Sequence, residues 1–376
     1  MQKGEKSSKK RYMQLKVKLK YYHFLPILVI ILALIGLVFI YSASCYSAEI
    51  EFGDKFFYVK KQGLSLVAGI IFMFLGMKLK TEWLMKFKWV IFAISAILLA
   101  LVFIPGLGME SYGATRWLNL GVFTIQPSEI SKFGFMIFLA GYLCEHSAKK
   151  LRNLIIPILC ALIICGLIIT EPNMSITVVV GTSFLIMLFV SGLDVKWLFV
   201  LLVLVLIAGI ALIFAEPYRM ERLFAFIDPW QNPKAEGYQL IQSYFALGNG
   251  GLFGVGLFNS RQKYLFLPFA ESDFIFSIIG EETGFFGAVF VMVLFLAVIM
   301  LGIKIARKSN SRFHALLVTG IISILAIQSV VNFAVVTGTI PPTGVPLPLI
   351  SAGGTSLVAF MFAIGLVMNV ARNHSE

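Results

Sequence analysis

Long apolar runs recur along the whole chain, separated by short segments that carry charge, glycine or proline. Several reach the length of about 18 residues that a helix needs to cross a membrane. A β-barrel would show short alternating segments instead, whereas these runs are continuous. The pattern predicts an all-α polytopic membrane protein with about ten transmembrane helices. The predicted spans lie near residues 24–44, 62–77, 89–105, 129–144, 153–170, 174–191, 196–214, 273–303, 314–337 and 353–371.

Composition supports a membrane protein, and the charge pattern predicts its orientation. Hydrophobic residues make up 59% of the 376 positions and charged residues 13%, with a mean hydropathy of +0.90, which excludes a soluble core. The N-terminal tail, alternate connections and the C-terminus hold 21 of the 31 Lys and Arg residues. The positive-inside rule therefore predicts that both termini are cytoplasmic. The net charge of +12 is mainly this topology signal, and we expect no nucleic-acid partner.

These boundaries predict a basic cytoplasmic tail (1–23), a single membrane domain (24–371) and a second cytoplasmic tail (372–376). The first apolar run is too long for the core of a signal peptide, so we expect it to stay as the first transmembrane helix. The eighth run is longer than a bilayer requires and should tilt or project. One extracellular loop, residues 215–272, is much longer than an ordinary connection, which favours a functional role.

The large loop combines a predicted helix, a glycine-rich run and two cations. GYQLIQSYFALG has helical spacing and predicts a short amphipathic helix on the outer leaflet. GNGGLFGVG follows; it is a weak candidate for a phosphate cradle, and a flexible re-entrant turn is an equally good interpretation. Arg261 and Lys263 come next, and such cations can neutralise a phosphate or pyrophosphate leaving group.

Two further outer loops carry candidate chemistry. Pro127, Ser128 and Glu129 predict a helix start, with Glu129 three residues before Lys132. This pair is either a local ion pair or an intramembrane pair that positions another charged group. In TGTIPPTGVPLPLISAGGTSL, the prolines predict an irregular backbone that dips into the protein. Its hydroxyls are suited to bind a sugar, with structural packing as the alternative.

Five separated motifs resemble, in order and topology, the shape, elongation, division and sporulation (SEDS) family of bacteria. They are GATRWLNLG-FTIQPSEISK, DPWQNPKAEGYQLIQS, GNGGLFGVGLFNSRQKYLFLP, SDFIFSIIGEETG and TGTIPPTGVPLPLISAGGTSL. The similarity covers nearly the whole chain, from YSAS at 41–44 to the tenth span. DPW at 228–230 and SRQK at 260–263 look more like the division and sporulation branch (FtsW, SpoVE) than the elongation branch (RodA).

The resemblance implies a peptidoglycan glycosyltransferase that polymerises lipid II into glycan strands on the outer face of the cytoplasmic membrane. It also implies work with a class B penicillin-binding protein transpeptidase and other division or sporulation proteins, at the division or sporulation septum. The family's catalytic aspartate corresponds to Asp273, and its Glu and Lys after the Gln-Pro-Ser motif correspond to Glu129 and Lys132. Our hypothesis is that Asp273 is the general base of an inverting displacement, oriented by that pair, with Arg261 and Lys263 near the pyrophosphate.

Further candidate substrate-binding residues lie in the same motifs. They are Arg116, Gln242, Gln262, Ser351, Gly353 and Gly354. We expect no tightly bound cofactor. Two outer acidic groups near cations would permit Mg²⁺ or Mn²⁺ at the pyrophosphate, although the spacing of residues identifies no ligand set.

Helix geometry separates the four carboxylates of LPFAESDFIFSIIGEETG. On a helix that starts near Asp273, Glu281 lies about 12 Å deeper and Glu282 points to nearly the opposite side. We therefore expect the chemistry at Asp273 and a buried structural or gating role for Glu281 and Glu282, as partners of neighbouring helices. Glu271 is expected to be a solvated or substrate-rim charge.

The chain also departs from the family pattern at several positions. Phe269 stands where the family usually has Glu, and Glu171 stands where it usually has Gln. The main alternative function is a lipid II flippase or another transporter, which would use Glu281 and Glu282. Polar groups cluster on the outer side and no inverted repeat is visible, which favours outer-face chemistry. A scaffold that only recruits its partner is a third possibility.

Overall fold

The computed structural model describes residues 2–111, 114–119, 121, 123–233 and 237–373, with side chains from Phe24 onward except at positions 111, 114, 218 and 373. The last three residues of the predicted C-terminal tail lie outside this range. Within it, the chain forms mainly α-helices. They are α1 Gln2–Phe52, α2 Phe57–Lys78, α3 Thr81–Lys86, α4 Lys88–Leu101, α5 Pro127–Glu145, α6 Ile155–Thr170, α7 Met174–Val190, α8 Val195–Phe214, α9 Pro217–Ile227, α10 Tyr238–Gly250, α11 Ile275–Arg307, α12 Arg312–Val336 and α13 Gly354–Asn373.

Nine of the ten predicted spans coincide with one of these helices to within five residues, whereas the first, 24–44, is the middle part of α1, which begins 22 residues earlier and ends eight residues later. Seven of the described helices are long and apolar enough to cross a membrane: α1 from Phe24, α2, α6 with the 3₁₀ turn Leu151–Leu154, α8, α11, α12 and α13. α4 and α7 are apolar but shorter, and α5 carries the charged residues Glu129 and Lys132. The chain is an integral membrane protein, while the count of ten spans and the cytoplasmic position of both termini stay predictions.

α5, α12 and α13 form the centre of the helix bundle. α5 is buried from Pro127 to Leu143 except at Ile130, and α12 and α13 bury most of their side chains. α8, by contrast, has no buried residue and presents large apolar side chains outward. Side chains that contact lipid must be apolar, so the polar residues of the bundle are concentrated in its centre.

Glycines bring α2 and α13 into close contact. A Cβ atom on Gly76 would lie 2.6 Å from the carbonyl oxygen of Phe362, and one on Gly365 would lie 2.2 Å from that of Met73. Small residues at such positions let two helix backbones approach closely, which is a common way of packing helices in membranes. Larger residues at either position would force α2 away from the centre.

A small antiparallel sheet interrupts the predicted all-α architecture. β1 (Gly108–Ser111) pairs with β2 (Ala114–Asn119), which pairs with β3 (Thr124–Ile125). The sequence did not predict these strands, because segments of two to six residues are too short to show alternation. The sheet matters for the site because β2 carries Arg116.

The predicted helix of the large loop is present as α10, and it packs against other helices, which the sequence did not predict; its position on the outer leaflet stays a prediction. α10 runs beside α11: the Ser243 and Ser277 hydroxyl oxygens lie 2.9 Å apart, and a Cβ on Gly250 would lie 2.1 Å from the carbonyl oxygen of Gly280. Ser243 also donates to the carbonyl oxygen of Val336 on α12, at 2.7 Å. Small and hydroxylic residues on one face thus favour packing against helices.

The glycine-rich run after α10 is a re-entrant turn, as one of the two interpretations held. It meets α11 at Gly284, where the helix is broken by a φ of +67° and a ψ of −167°. This break lies about 14 Å along the helix from Ile275. We refer to residues 251–263 as the re-entrant turn. Irregular backbone at such depth is tolerated where its polar groups find partners within the protein, and the N–H groups of residues 254–256 all donate to carbonyl oxygens.

The proline-rich segment between α12 and α13 also enters the protein, as predicted. Residues 340–352 contain no helix, and the side chains of Val345, Leu347, Leu349 and Ile350 are at most 3% exposed. The segment passes between α12 and the start of α11. It therefore forms one wall of the region around Asp273.

Candidate functional site

Asp273 lies in the turn that leads into α11, two residues before the helix begins. Its main-chain carbonyl accepts a hydrogen bond from Asn332 Nδ2 at 2.8 Å, and the same amide nitrogen donates to the carbonyl of Val345 at 2.7 Å. Its carboxylate oxygen Oδ2 lies 3.2 Å from the place that a Cβ on Gly344 would occupy. α12 and the proline-rich segment thus hold the residue from two sides.

The electrostatic surroundings of Asp273 suit a proton acceptor. Burial raises its pKa to about 6, while the positive charges of Arg116 and Arg222 act in the opposite direction. A carboxyl group with a pKa near the working pH can both take up and release a proton readily. Arg222, on α9, was not singled out from the sequence because nothing in its spacing connects it with Asp273.

Arg116 is held at the end of α6. Its Nε donates to the carbonyl of Glu171 at 3.0 Å, and its Nη2 donates to the carbonyl of Pro172. These bonds hold the guanidinium group of Arg116, on β2, at the C-terminal end of α6, where carbonyl oxygens attract a cation. The predicted substrate-binding residue is thereby brought into electrostatic contact with Asp273.

Glu171 is a titratable residue of this region that sequence reasoning treated only as a departure from the family pattern. Its side chain is fully buried, and neither carboxylate oxygen has a hydrogen-bond partner among the described residues. Burial raises its pKa to about 8, although the charge of Arg116 lowers it. Glu171 is therefore protonated at pH 7. A protonated glutamate has nearly the same shape as the glutamine that the family usually has at this position.

Glu129 and Lys132 form the ion pair that their spacing predicts. Lys132 Nζ donates to Glu129 Oε2 at 2.7 Å and to Gln328 Oε1 at 2.8 Å, and both charged side chains are at most 1% exposed. Gln328 Nε2 in turn donates to the carbonyl of Pro346 at 3.0 Å. The pair therefore reaches the proline-rich segment through Gln328, one helical turn before Asn332.

This network connects the three predicted catalytic residues only indirectly. The Glu129–Lys132 pair touches Gln328, whereas Asp273 touches Asn332, and the two amides hold adjacent carbonyls of residues 345 and 346. Neither amide was predicted, because Gln and Asn on an apolar helix carry no motif. Their only signal was their spacing of four residues on one face of α12.

The two cationic residues of the SRQK motif differ in their exposure and contacts. Arg261 is exposed, whereas Gln262 and Lys263 are each 6% exposed. Lys263 Nζ donates to the carbonyl of Phe258, within the same turn. The geometry thus favours Arg261 for contact with a pyrophosphate, and it directs Lys263 toward the protein backbone, contrary to our expectation for Lys263.

The weaker proposal of a glycine phosphate cradle is not supported. The N–H groups of Gly254, Val255 and Gly256 already donate to carbonyl oxygens, at 2.7, 3.0 and 3.1 Å. Backbone donors that are used in this way cannot bind an anion without breaking the turn.

Three of the remaining predicted substrate-binding residues make structural contacts. The hydroxyl of Ser351 donates to the carbonyl of Ser272 at 2.6 Å and accepts from the N–H of Leu347 at 2.7 Å. Gly353 N donates to Gln62 Oε1 at 3.1 Å, and Gly354 packs against Ser65. Packing, the alternative interpretation of this loop, therefore accounts for these three. Gln242 is half-buried on α10.

The place of Glu271 at the substrate rim stays a prediction, but Glu271 is not a solvated charge. It is partly buried, and its main-chain carbonyl accepts from the N–H of Ala352 at 2.9 Å. Burial raises its pKa, and the negative charges of Asp273 and Glu51 raise it further. The reason is tertiary: the chain before α11 folds against the proline-rich segment. Glu281 and Glu282, as expected, are buried apart from Asp273.

Comparisons with known proteins identify the family of the chain. The profile of the FtsW, RodA and SpoVE cell cycle proteins matches residues 22–376. Stage V sporulation protein E of Bacillus subtilis (strain 168) is 40% identical over 353 residues, covering 93% of this chain and 96% of that protein. The probable peptidoglycan glycosyltransferase FtsW of Geobacter sp. (strain M18) is 38% identical over 349 residues, covering 91% and 94%.

Among solved structures, a chain of a peptidoglycan synthase complex that coordinates polymerization and crosslinking is similar, with a TM-score of 0.77 and 29% identity. The similarity covers 93% of this chain and 97% of that one. Profile, sequence and structure agree over nearly the full length. The chain belongs to the FtsW/RodA/SpoVE family of cell cycle proteins.

Proposed function

We propose that this protein is a peptidoglycan glycosyltransferase that polymerises lipid II on the outer face of the cytoplasmic membrane. The observation that carries the proposal is Asp273, a partly buried carboxyl group whose pKa is raised by burial to about 6 and which is acted on by the charges of Arg116 and Arg222. A base and cations together are what transfer of a sugar from a lipid pyrophosphate requires. The proposed topology has ten spans with both termini in the cytoplasm, which puts Asp273 at the outer side.

In the proposed reaction, Asp273 accepts the proton of the acceptor sugar's hydroxyl group as its oxygen attacks the anomeric carbon. The bond between that carbon and the pyrophosphate oxygen breaks, and undecaprenyl pyrophosphate leaves. A single displacement inverts the anomeric centre, so it needs no second carboxylate as nucleophile. The exposed guanidinium of Arg261 and the nearby charge of Arg116 are our candidates for stabilising the leaving group.

Glu129 and Lys132 act as positioning residues in this proposal. Their contact with Gln328, and the bond from Gln328 to Pro346, support the proline-rich segment that packs against Asp273. A buried pair with a further amide partner is rigid, because each polar atom would lose its partner if the helices shifted. The pair therefore orients the base through the protein backbone.

A divalent ion fits this site only with help from the substrate. Among the described residues no group of three or more His, Cys, Asp or Glu is placed to hold a metal ion. Mg²⁺ commonly takes phosphate oxygens and water together with one or two carboxylates. Mg²⁺ or Mn²⁺ would therefore be bound mainly by the pyrophosphate.

We propose a class B penicillin-binding protein transpeptidase as partner, with other division or sporulation proteins, at the septum. The similar peptidoglycan synthase complex coordinates polymerization and crosslinking, which supports a paired transpeptidase. A membrane enzyme that extends a glycan outside the cell needs a crosslinking activity close to its product.

The test uses purified protein in detergent with labelled lipid II. We expect glycan polymer from the parent, and an Asp273→Asn variant that is slower by at least about 100-fold, the usual contribution of a general base. Glu49→Gln, at an exposed carboxylate near the end of α1, is the matched control and should keep the parental rate. Polymerisation at the parental rate by Asp273→Asn, or lipid II transport without polymer, would contradict the proposal.

A further inference from the structure

Two adjacent carboxylates lie inside the bundle, on the segment that leads to the break in α11. Glu281 and Glu282 are 0% and 1% exposed, and neither takes part in an ion pair among the residues described. A buried carboxylate without compensation is strongly destabilising, so other donors must satisfy it. In this protein the donors come mainly from the re-entrant turn.

Glu281 uses both of its carboxylate oxygens. Oε1 accepts from the backbone N–H of Arg261 at 3.2 Å. Oε2 accepts from the hydroxyl of Ser260 at 2.5 Å and from the N–H of Gln262 at 3.4 Å. The carboxylate therefore bridges three consecutive residues of the SRQK motif, including the one that carries the exposed guanidinium.

Glu282 differs in how its two oxygens are satisfied. Its Oε1 accepts from the N–H of Ser260 at 3.2 Å and from the hydroxyl of Ser42 on α1. Its Oε2 is buried without a partner among the described residues. The two neighbouring glutamates can therefore be distinguished by the same substitution.

Main-chain hydrogen bonds also attach the re-entrant turn to α11, at the break in the helix. In an unbroken helix the N–H groups of Phe285 and Phe286 would donate to the carbonyls of Glu281 and Glu282. They donate instead to the carbonyls of residues 251 and 252, at 2.9 and 3.3 Å. The freed carbonyls accept from the N–H groups of residues 255 and 256, at 3.0 and 3.1 Å. The turn replaces the helix's own bonds at the break.

We infer that Glu281 is a positioning residue: it fastens the re-entrant turn into the break of α11 and so fixes where Arg261 presents its guanidinium group. Glu282 assists through Ser42 and Ser260 with a single oxygen. This role rests on the proposed polymerisation of lipid II, for which Arg261 is a candidate ligand of the pyrophosphate. It also explains why a membrane-spanning segment carries two acids that lie away from Asp273.

Substitution by glutamine should have different effects at positions 281 and 282. At position 281 its NH₂ group must face either the N–H of Arg261 or the donors of Ser260 and Gln262, so at least one contact becomes donor against donor. At position 282 the NH₂ group can take the place of Oε2, which has no partner among the described residues. Glu281→Gln should therefore loosen the turn, whereas Glu282→Gln should leave it attached.

The first measurement is lipid II polymerisation over a range of lipid II concentrations. We expect Glu281→Gln to lower kcat/KM by about 10-fold or more, the effect of losing a hydrogen bond to a charged group, with Glu282→Gln within about 2-fold of the parent. If Glu281 acts through Arg261, the double variant with Arg261→Gln should be no slower than Arg261→Gln alone. Fully multiplicative losses, or equal losses in the two glutamine variants, would overturn the inference.

The second measurement does not depend on activity. Amide hydrogen exchange of residues 255–262 should be slow in the parent and in Glu282→Gln, and faster in Glu281→Gln, while α12 stays protected in all three. If Glu281→Gln also loses protection in α12, the Ser260→Ala variant is measured in its place. Ser260→Ala should show faster exchange only in the re-entrant turn. Unchanged exchange of the turn would overturn the attachment, whereas a parent that attaches the turn but makes no polymer would contradict only the proposed function.

Discussion

Replacing Lys132 by methionine tests whether the buried ion pair supports the centre of the bundle. Lys132 Nζ lies 2.7 Å from Glu129 Oε2, both side chains are at most 1% exposed, and the ammonium also lies 4.4 Å from the ring centroid of Phe360. At an effective dielectric constant of about 20, the attraction at this distance is about 6 kcal/mol, and desolvation offsets much of it.

The cost of the substitution comes mainly from the charge that remains. Lys132→Met would leave Glu129 buried and unpaired, which costs about 3–5 kcal/mol. The double variant Glu129→Gln/Lys132→Met has no charge at either position, so we expect it to recover more than half of that loss. Because both variants lack the positioning pair, both should remain slow in lipid II polymerisation.

The assay is thermal unfolding in detergent, with a second ion pair as control. Lys88 Nζ lies 2.6 Å from Glu145 Oε1, but the side chain of Glu145 is 41% exposed. Lys88→Met leaves a carboxylate that water can reach, so its cost should be at most about 1 kcal/mol. Equal losses in Lys132→Met and Lys88→Met, or a double variant no more stable than Lys132→Met, would refute the reasoning.

Two further predictions concern pH and one concerns a glycine. Polymerisation should accelerate as pH rises through about 6, because Asp273 must lose its proton to act as a base; a rate independent of pH there would contradict this role. Glu171→Gln should become more stable than the parent as pH rises from 4.5 to about 8. Across that window folded Glu171 keeps a proton that the unfolded chain has lost, so the parental free energy of unfolding falls by about 1.4 kcal/mol per pH unit. If the melting temperatures of the parent and of Glu171→Gln changed in parallel with pH, this prediction would be wrong. Gly344→Ala should slow polymerisation, because its φ is +67° and its new Cβ would lie 3.2 Å from Asp273 Oδ2. Gly106→Ala, with a φ of +89° and no atom within 4 Å of the new Cβ, is the control, and equal rate losses would argue against the contact with Asp273.

The sequence alone determined the properties that depend on local pattern. Apolar runs predicted the membrane helices because hydrophobic length is a property of consecutive residues. Pro127 and Glu129 predicted the start of α5, and the spacing of Glu129 and Lys132 predicted their ion pair, because residues three apart share a helix face. The separation of Asp273 from Glu281 likewise followed from helix periodicity.

Tertiary structure alone decided which distant groups meet. Gln328 and Asn332 join the site through carbonyls of the proline-rich segment, and Glu281 binds backbone N–H groups 19 and 20 residues earlier in the chain. Such contacts depend on where a segment re-enters the protein, and backbone donors carry no side-chain signature in a sequence. Their formation is set by the need to satisfy every polar group inside the membrane, which is a property of the whole fold.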